Sequence, residues 1–342
     1  MLLLRARFRL SGLLPGRPPV LLIALVTALV TALRPAAGAS PASTPALPVA
    51  MTLQRVAEGV YFVQGESALG SAGNANFISN AGFVVADGGV VVVDALGSPA
   101  LAEALVRLIR EVTPLPIRYV VVTHYHADHI YGLQVFQRLG AQVVAHPGAR
   151  EYLQSDTARL RLQASRQELW PWVDENTRLV APDRWAGEGA DGRDTVLRVG
   201  RTEFVLRHVG PSHTHEDLVL YVPSRRVLFA GDLVFRGRIP FVGQADSRRW
   251  IEALERLLAW DAQVVVPGHG PASTTPRADI ELTRDYLLHL RKTMGEAARA
   301  MEPFDEAYAR TDWSRFRSLP LFGAANRMNA YNTYLQMEQE GR

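Results

Sequence analysis

The chain has 342 residues, 48% hydrophobic and 21% charged, which is enough apolar material for a large core and excludes a disordered chain. The formal net charge is +3, but residues 1–39 hold five arginines and no acid, so removing them leaves −2 and no basic surplus for a nucleic-acid partner. Cysteine is absent, which excludes disulfides and thiolate ligands and leaves histidine and carboxylate to hold any metal.

The first segment reads as a secretory signal peptide. Arg5, Arg7, Arg9 and Arg17 precede an apolar run from Val20 to Leu33, and Ala37, Gly38 and Ala39 supply the small residues of a cleavage site after Ala39. The run is shorter than the roughly 20 residues a membrane-spanning helix needs, so the expectation is a periplasmic or secreted protein with no stable membrane anchor after cleavage. Residues 40–52 are rich in Pro, Ala, Ser and Thr and read as a linker.

Strand patterns begin at Leu53, with Val56, Val60, Phe62 and Val63 in one run, and a hairpin is expected from Asn76–Ala86 and Gly89–Asp94 across Asp87-Gly88. The glycine-rich stretch Gln64–Asn74 between them is a candidate flap. Asp94 ends its strand, and Ser98-Pro99 then caps a helix with Leu101, Leu105, Leu108, Ile109 and Val112 on one face. Pro114 and Pro116 stop that helix before the strand Ile117–Val122.

That strand ends in Thr123-His124-Tyr125-His126-Ala127-Asp128-His129, after which Ile130, Leu133, Phe136 and Leu139 take helical spacing. Three imidazoles and a carboxylate within six residues suit Zn, Fe or Mn. A further strand, Ala141–Ala145, leads to His146 and a helix expected over Arg150–Leu169, followed by an irregular aromatic segment from Trp170 to Asp194.

The second half supplies strands at Thr195–Val199, Glu203–Val209, Leu218–Val222, Arg226–Ala230 and Ala262–Val266, with a helix capped by Asp246-Ser247 before the last. Three of these strands stop at His213, Asp232 and His269. From Pro276 a long helix to about Met301 and weaker helical patterns at Phe304–Ala309 and Asn326–Glu338 form a helical tail. His208, His215, His289 and Asp217 are read as core, pocket-lining, structural and loop-ordering residues respectively, and His146 as structural.

The run His124-Tyr125-His126-Ala127-Asp128-His129 resembles the HxHxDH motif of the metallo-β-lactamase superfamily, and His213, Asp232 and His269 complete the ligand set of its dinuclear members. The resemblance covers roughly residues 53–272. It implies an αβ/βα four-layer sandwich over residues 53–275, with residues 276–342 as a helical extension.

It also implies His124, His126 and His213 on one metal, Asp128, His129 and His269 on a second, and Asp232 bridging them. Asp94 would orient a ligand, and Asp128 would position the attacking water and take its proton. The cofactor so implied is two Zn2+ per chain, with Fe or Mn as other options. Within the superfamily, Asp232 agrees with glyoxalase II-like hydrolases, and Leu228–Phe235 followed by Arg238-Ile239-Pro240-Phe241 looks like periplasmic zinc metallohydrolases associated with sulfur-oxidation or quinoprotein gene clusters.

The expected function is hydrolysis of a small-molecule ester, thioester, lactone or lactam, with oligomeric state left open. Two alternatives stand beside it: a mononuclear iron persulfide-type oxygenase using His124, His213 and Asp232, and a non-catalytic periplasmic metal- or ligand-binding protein.

Overall fold

The computed structural model describes residues 46–187 and 194–341. The expected leader, its cleavage site and the first part of the linker lie outside the described residues. So do six residues before Asp194 in the aromatic segment.

Among the described residues, twelve strands form two mixed sheets. The first holds β1 (Leu53–Ala57), β2 (Val60–Val63), β3 (Ala81–Ala86), β4 (Gly89–Val93), β5 (Ile117–Val121), β6 (Gln142–Ala145) and β7 (Arg184–Trp185), hydrogen-bonded in that order. The second runs β12 (Val264–His269), β11 (Val227–Phe235), β10 (Leu218–Val222), β9 (Thr202–His208) and β8 (Thr195–Val199). β4 to β7 are parallel, as are β11 and β12; the other neighbours are antiparallel hairpins.

Three buried clusters account for four layers. Phe62, Val91, Val121, Phe204, Leu220 and Phe229 fill the space between the sheets. Val92, Val120 and Phe83 on the far face of the first sheet pack on α1 (Pro99–Val112) through Leu101, Leu105 and Ile109. On the far face of the second, Leu228, Leu233 and Val265 meet α6 (Ser247–Leu258) and α7 (Pro276–Arg299) through Trp250, Leu254, Leu287 and Leu290. Strands buried on both faces must be apolar throughout, which is why β4 reads as an unbroken valine run.

Local chemistry sets the element ends. Ser98 and Asp246 cap α1 and α6 by accepting from the backbone N–H groups of Leu101 and Arg249. Thr275 precedes α7 without a side-chain cap.

Several expected boundaries differ. The helix after His129 is split into α2 (Ala127–Ile130) and α3 (Leu133–Arg138) at Gly132, whose N–H turns to the Leu96 carbonyl at 3.3 Å and which passes so close to Ala95 that a Cβ would stand 2.0 Å from its carbonyl oxygen. The helix expected over Arg150–Leu169 is broken into α4 (Ala149–Gln154) and α5 (Asp156–Glu168) by Ser155, whose extended backbone and hydroxyl start a new N-terminus at Ala158. The first hairpin strand begins at Ala81 rather than Asn76; Asn76 has left-handed backbone, and Asn80 turns its amide to the carbonyls of Pro267 and Gly270 in the other half of the molecule. β11 and β12 extend through Asp232 and to His269, so these residues lie within strands rather than after them, held by the parallel ladder between the two.

Leu47, Val49 and Met51, expected as linker, pack against the first core. The tail continues as α8 (Phe304–Arg310) and α9 (Phe322–Glu340). Tyr286 of α7 and Asn326 of α9 join these helices by a buried hydrogen bond of 2.9 Å.

Candidate metal centre

The seven predicted ligands converge where the two sheets present their strand ends. His124 and His126 leave the end of β5, Asp128 and His129 the first turn of α2, Asp232 β11 and His269 the end of β12; His213 lies in the turn between β9 and β10. They divide into His124, His126, His213 and Asp232 on one side and Asp128, His129 and His269 on the other, with donor atoms in each group within 4.8 Å of one another.

Asp232 reaches both groups. Its Oδ2 lies 3.8 Å from His124 Nε2, 3.4 Å from His213 Nε2 and 3.2 Å from His269 Nε2, and its Oδ1 lies 3.3 Å from His129 Nε2. Asp128 Oδ2 lies 3.5 Å from His129 Nε2 and 3.4 Å from His269 Nε2. Metal–ligand bonds of about 2.0–2.2 Å in tetrahedral array place neighbouring donors about 3.3–3.6 Å apart, so this spacing is that of a ligand shell. The close passage is possible because residue 268 is glycine: a Cβ there would stand 1.9 Å from Asp232 Oδ1.

The inward atoms His124 Nε2, His129 Nε2 and Asp232 Oδ1 are buried and have no hydrogen-bond partner among the described residues. Burying such atoms without a partner is costly, and a divalent cation is the partner that two nitrogens and a carboxylate share. The residues present therefore fit the expected metals.

The outer nitrogens of His124, His129 and His269 are fixed by the protein. His129 Nδ1 donates to Asp94 Oδ2 at 2.9 Å, and His269 Nδ1 to the Ile78 carbonyl at 2.6 Å. Thr123 Oγ1 donates to Asp94 Oδ2 at 2.8 Å, which leaves it to accept from His124 Nδ1 at 3.0 Å. Asp94 thus orients two histidines, one directly and one through Thr123, and presents the Nε2 of each to the centre.

Electrostatics separates the two groups. Burial holds His124 and His126 below the ordinary imidazole value and His213 down to about 3, so these rings are uncharged at neutral pH, each with one nitrogen free to bind a cation. Burial also opposes a charge on His129, but Asp128, Asp232 and Asp94 outweigh it and hold that group well above the ordinary value. Asp232 is held well below the usual carboxylate range because His269, His129 and His124 overcome its desolvation.

The family model described as the metallo-beta-lactamase superfamily matches residues 75–269, a span that contains all seven residues. The chain belongs to the metallo-beta-lactamase superfamily. Among similar proteins, the 2,4-dinitroanisole O-demethylase subunit alpha of Nocardioides sp. (strain JS1661) is 29% identical over 54% of this chain and 50% of its own. The linear primary-alkylsulfatase of Pseudomonas sp. (strain ATCC 19151) is 26% identical over 59% of this chain and 44% of its own. The chain therefore spans about half the length of these two relatives. The solved sec-alkylsulfatase Pisa1 from Pseudomonas sp. shares the fold, with a TM-score of 0.66 at 19% identity over 84% of this chain and 50% of that one.

A cleft of about 580 Å³ opens over the candidate centre, lined by His126, Asp128, Asp232 and His269 together with Leu69, Ile78 and Phe241. The candidate flap supplies Leu69, and the Trp172 indole N–H anchors that loop by donating to the Ala72 carbonyl at 2.7 Å. A second recess of about 510 Å³ lies beyond Phe241, lined by His213, His215, Met328 and Asn332.

Other predicted residues take supporting positions. Asp217 orders the His213 turn by accepting from the backbone N–H and hydroxyl of Thr214 at 2.8 and 2.7 Å. His146 stacks on His208 with ring centroids 3.7 Å apart. His289 packs edge-on against Trp313.

Sequence reasoning overlooked four contributors. Thr123 adjoins the motif; Glu216 accepts the Tyr125 backbone N–H at 3.1 Å. Ser79 donates to the Asp128 carbonyl at 2.5 Å, and Arg238 lies against His269. No ligand-type signal marks any of them, since each acts through a partner distant in sequence.

Proposed function

We propose that this protein is an exported hydrolase that uses a pair of zinc ions to cleave a small ester, thioester, lactone or lactam, with sulfate esters added because a relative is named an alkylsulfatase. The observation that carries this reading is the convergence of five histidines and two aspartates, with the inward atoms His124 Nε2, His129 Nε2 and Asp232 Oδ1 buried and unpartnered among the described residues. His124, His126, His213 and Asp232 would hold one ion, Asp128, His129 and His269 the other, and Asp232 has an oxygen toward each. Paired divalent ions supply hydroxide near neutral pH and polarise the scissile bond.

The chain's own part is orientation and proton handling. Asp94, Thr123 and the Ile78 carbonyl lock imidazole rings so that Nε2 faces the centre. Asp128 lines the cleft, where its carboxylate positions a water and takes its proton. Leu69 and Phe241 shield that position from bulk solvent. The leader supports export to the periplasm or beyond.

The test is elemental analysis of the purified protein followed by turnover assays on ester, thioester, lactone, lactam and sulfate-ester panels. Two zinc equivalents with turnover lost on chelation support the reading. One iron with oxygen consumption would instead establish the mononuclear oxygenase, and metal without turnover a binding protein.

A further inference from the structure

Arg238 is 7% exposed and lies in the segment joining β11 to α6, which returns over the mouth of the centre. Its Nη1 stands 3.2 Å from His269 Nδ1. That contact is not a hydrogen bond: His269 Nδ1 is 2.6 Å from the Ile78 carbonyl, a separation that requires the ring proton to be there, and guanidinium has no acceptor atom. The Arg238 Nε is also buried without a partner, and no carboxylate forms an ion pair with this side chain among the described residues.

A buried, permanently charged guanidinium without an anion is costly. Asp128 and Asp232 are near enough to be felt, but their oxygens face the histidines that share the metal positions. Arg238 instead lines the same cleft as His126, Asp128 and Asp232, together with Leu69 and Phe241. Arg161 also lines the cleft, but its guanidinium is paired with Glu168 at 2.5 Å, so Arg238 is the buried cation of this wall with no acidic partner of its own among the described residues. A guanidinium is a planar fork that matches a carboxylate or a sulfur oxyanion with two parallel donors.

We propose that Arg238 is the specificity-determining residue of this cleft, binding the anionic group of a substrate whose apolar body lies against Leu69, Ile78 and Phe241. The substrate class is then an ester or lactone carrying a carboxylate, sulfonate or sulfate group on an aliphatic or aromatic body. This deepens the hydrolase reading, because it names what that site selects.

The segment bearing Arg238 is held from outside. Its Ile239 N–H donates to the Pro320 carbonyl at 3.0 Å, and Asn329 of α9 takes the Val242 N–H at 2.9 Å and donates to the Pro240 carbonyl at 2.7 Å. A charge placed on a segment fastened at three points is pre-organised for recognition.

The test is equilibrium binding of three unreactive probes, 1-octanesulfonate, octanoate and 1-octanol, to the metal-loaded wild type and to Arg238→Gln and Arg238→Lys, with metal content measured on each. We expect Arg238→Gln to weaken both anions about tenfold or more, each tenfold being about 1.4 kcal/mol, while octanol binding changes less than about twofold and Arg238→Lys falls between. A loss for one anion alone names the headgroup.

Equal anion binding by wild type and Arg238→Gln would overturn the proposal. So would equal losses for anions and octanol, or loss of metal from Arg238→Gln with retention in Arg238→Lys, which would assign the charge to balancing Asp128 and Asp232. Because the readout is binding, its failure is distinct from absence of turnover on neutral esters, which would remove the hydrolase reading alone.

Discussion

The Asp94 carboxylate lies 2.9 Å from His129 Nδ1 and 2.8 Å from the Thr123 hydroxyl, although 35 and 29 residues separate them in the chain. One buried acid at the end of β4 therefore sets the ring orientation of His129 directly and of His124 through Thr123. Asp94→Ala is expected to lower metal affinity or turnover by about 10–100-fold, as loss of such orienting partners does. Competition titration with a chromogenic chelator, alongside kcat/KM, measures both; unchanged values would leave Asp94 a loop cap.

Asp232 and His126 should differ in kind. Asp232→Ala removes the residue that reaches both groups, so it should reduce bound metal by more than one equivalent, whereas His126→Ala should reduce it by about one. Elemental analysis of each variant, with circular dichroism to show that the fold is kept, decides the matter. Asp128→Ala should abolish hydrolysis with most of the fold intact, since its side chain faces the cleft.

Metal loading should release protons unequally. His129 keeps a proton at neutral pH because its folded value is raised, whereas His124, His126 and His213 have already lost theirs. Filling the Asp128–His129–His269 group should therefore release about one proton, and the other group close to none. Calorimetry in buffers of different ionisation enthalpy reads this directly, and acidification should strip the His129 group first.

The stacked pair His146 and His208 should make the protein acid-sensitive. Burial holds His146 down to about 4, followed by the nearby His208, and burial also lowers His208. Below the unfolded imidazole value near 6.5 the unfolded chain binds protons that these rings refuse. Stability is then complete above that pH and lost as pH falls toward 4. The Tm of wild type should drop over this window, and His146→Phe, which keeps a ring without titrating, should flatten the drop; parallel curves would rule the pair out as the cause.

Asn329 should link the helical tail to the cleft. Its side chain makes hydrogen bonds to Val242, Pro240 and Tyr286, all buried. Asn329→Ala leaves the Val242 N–H and the Pro240 carbonyl without this partner and should cost about 1–3 kcal/mol, visible in a denaturant midpoint. It should also raise KM more than it lowers kcat, because the segment with Arg238 and Phe241 loses its fastening.

The candidate cluster was legible in the sequence because each member follows a strand pattern or opens a helix, and strand ends in layered folds gather at one edge. The six-residue motif carried four of the seven, and His213, Asp232 and His269 each closed an apolar run that could be read alone. Valine runs and helical spacing were enough to indicate two covered sheets, since burial on both faces leaves a continuous apolar signature.

Tertiary structure alone decided what surrounds those ligands. The break at Gly132 goes with its hydrogen bond to Leu96, and the strand position of Asp232 depends on its ladder with β12. The isolation of Arg238 depends on where the His269 proton goes, and the three fastenings of its segment come from Pro320 and Asn329 in the tail. Local periodicity records which face of an element is buried; it does not record which distant backbone group meets a given side chain. Ligand identity is written in residue type and position, but orientation, tautomer and charge balance arise only when segments far apart in the chain are packed together.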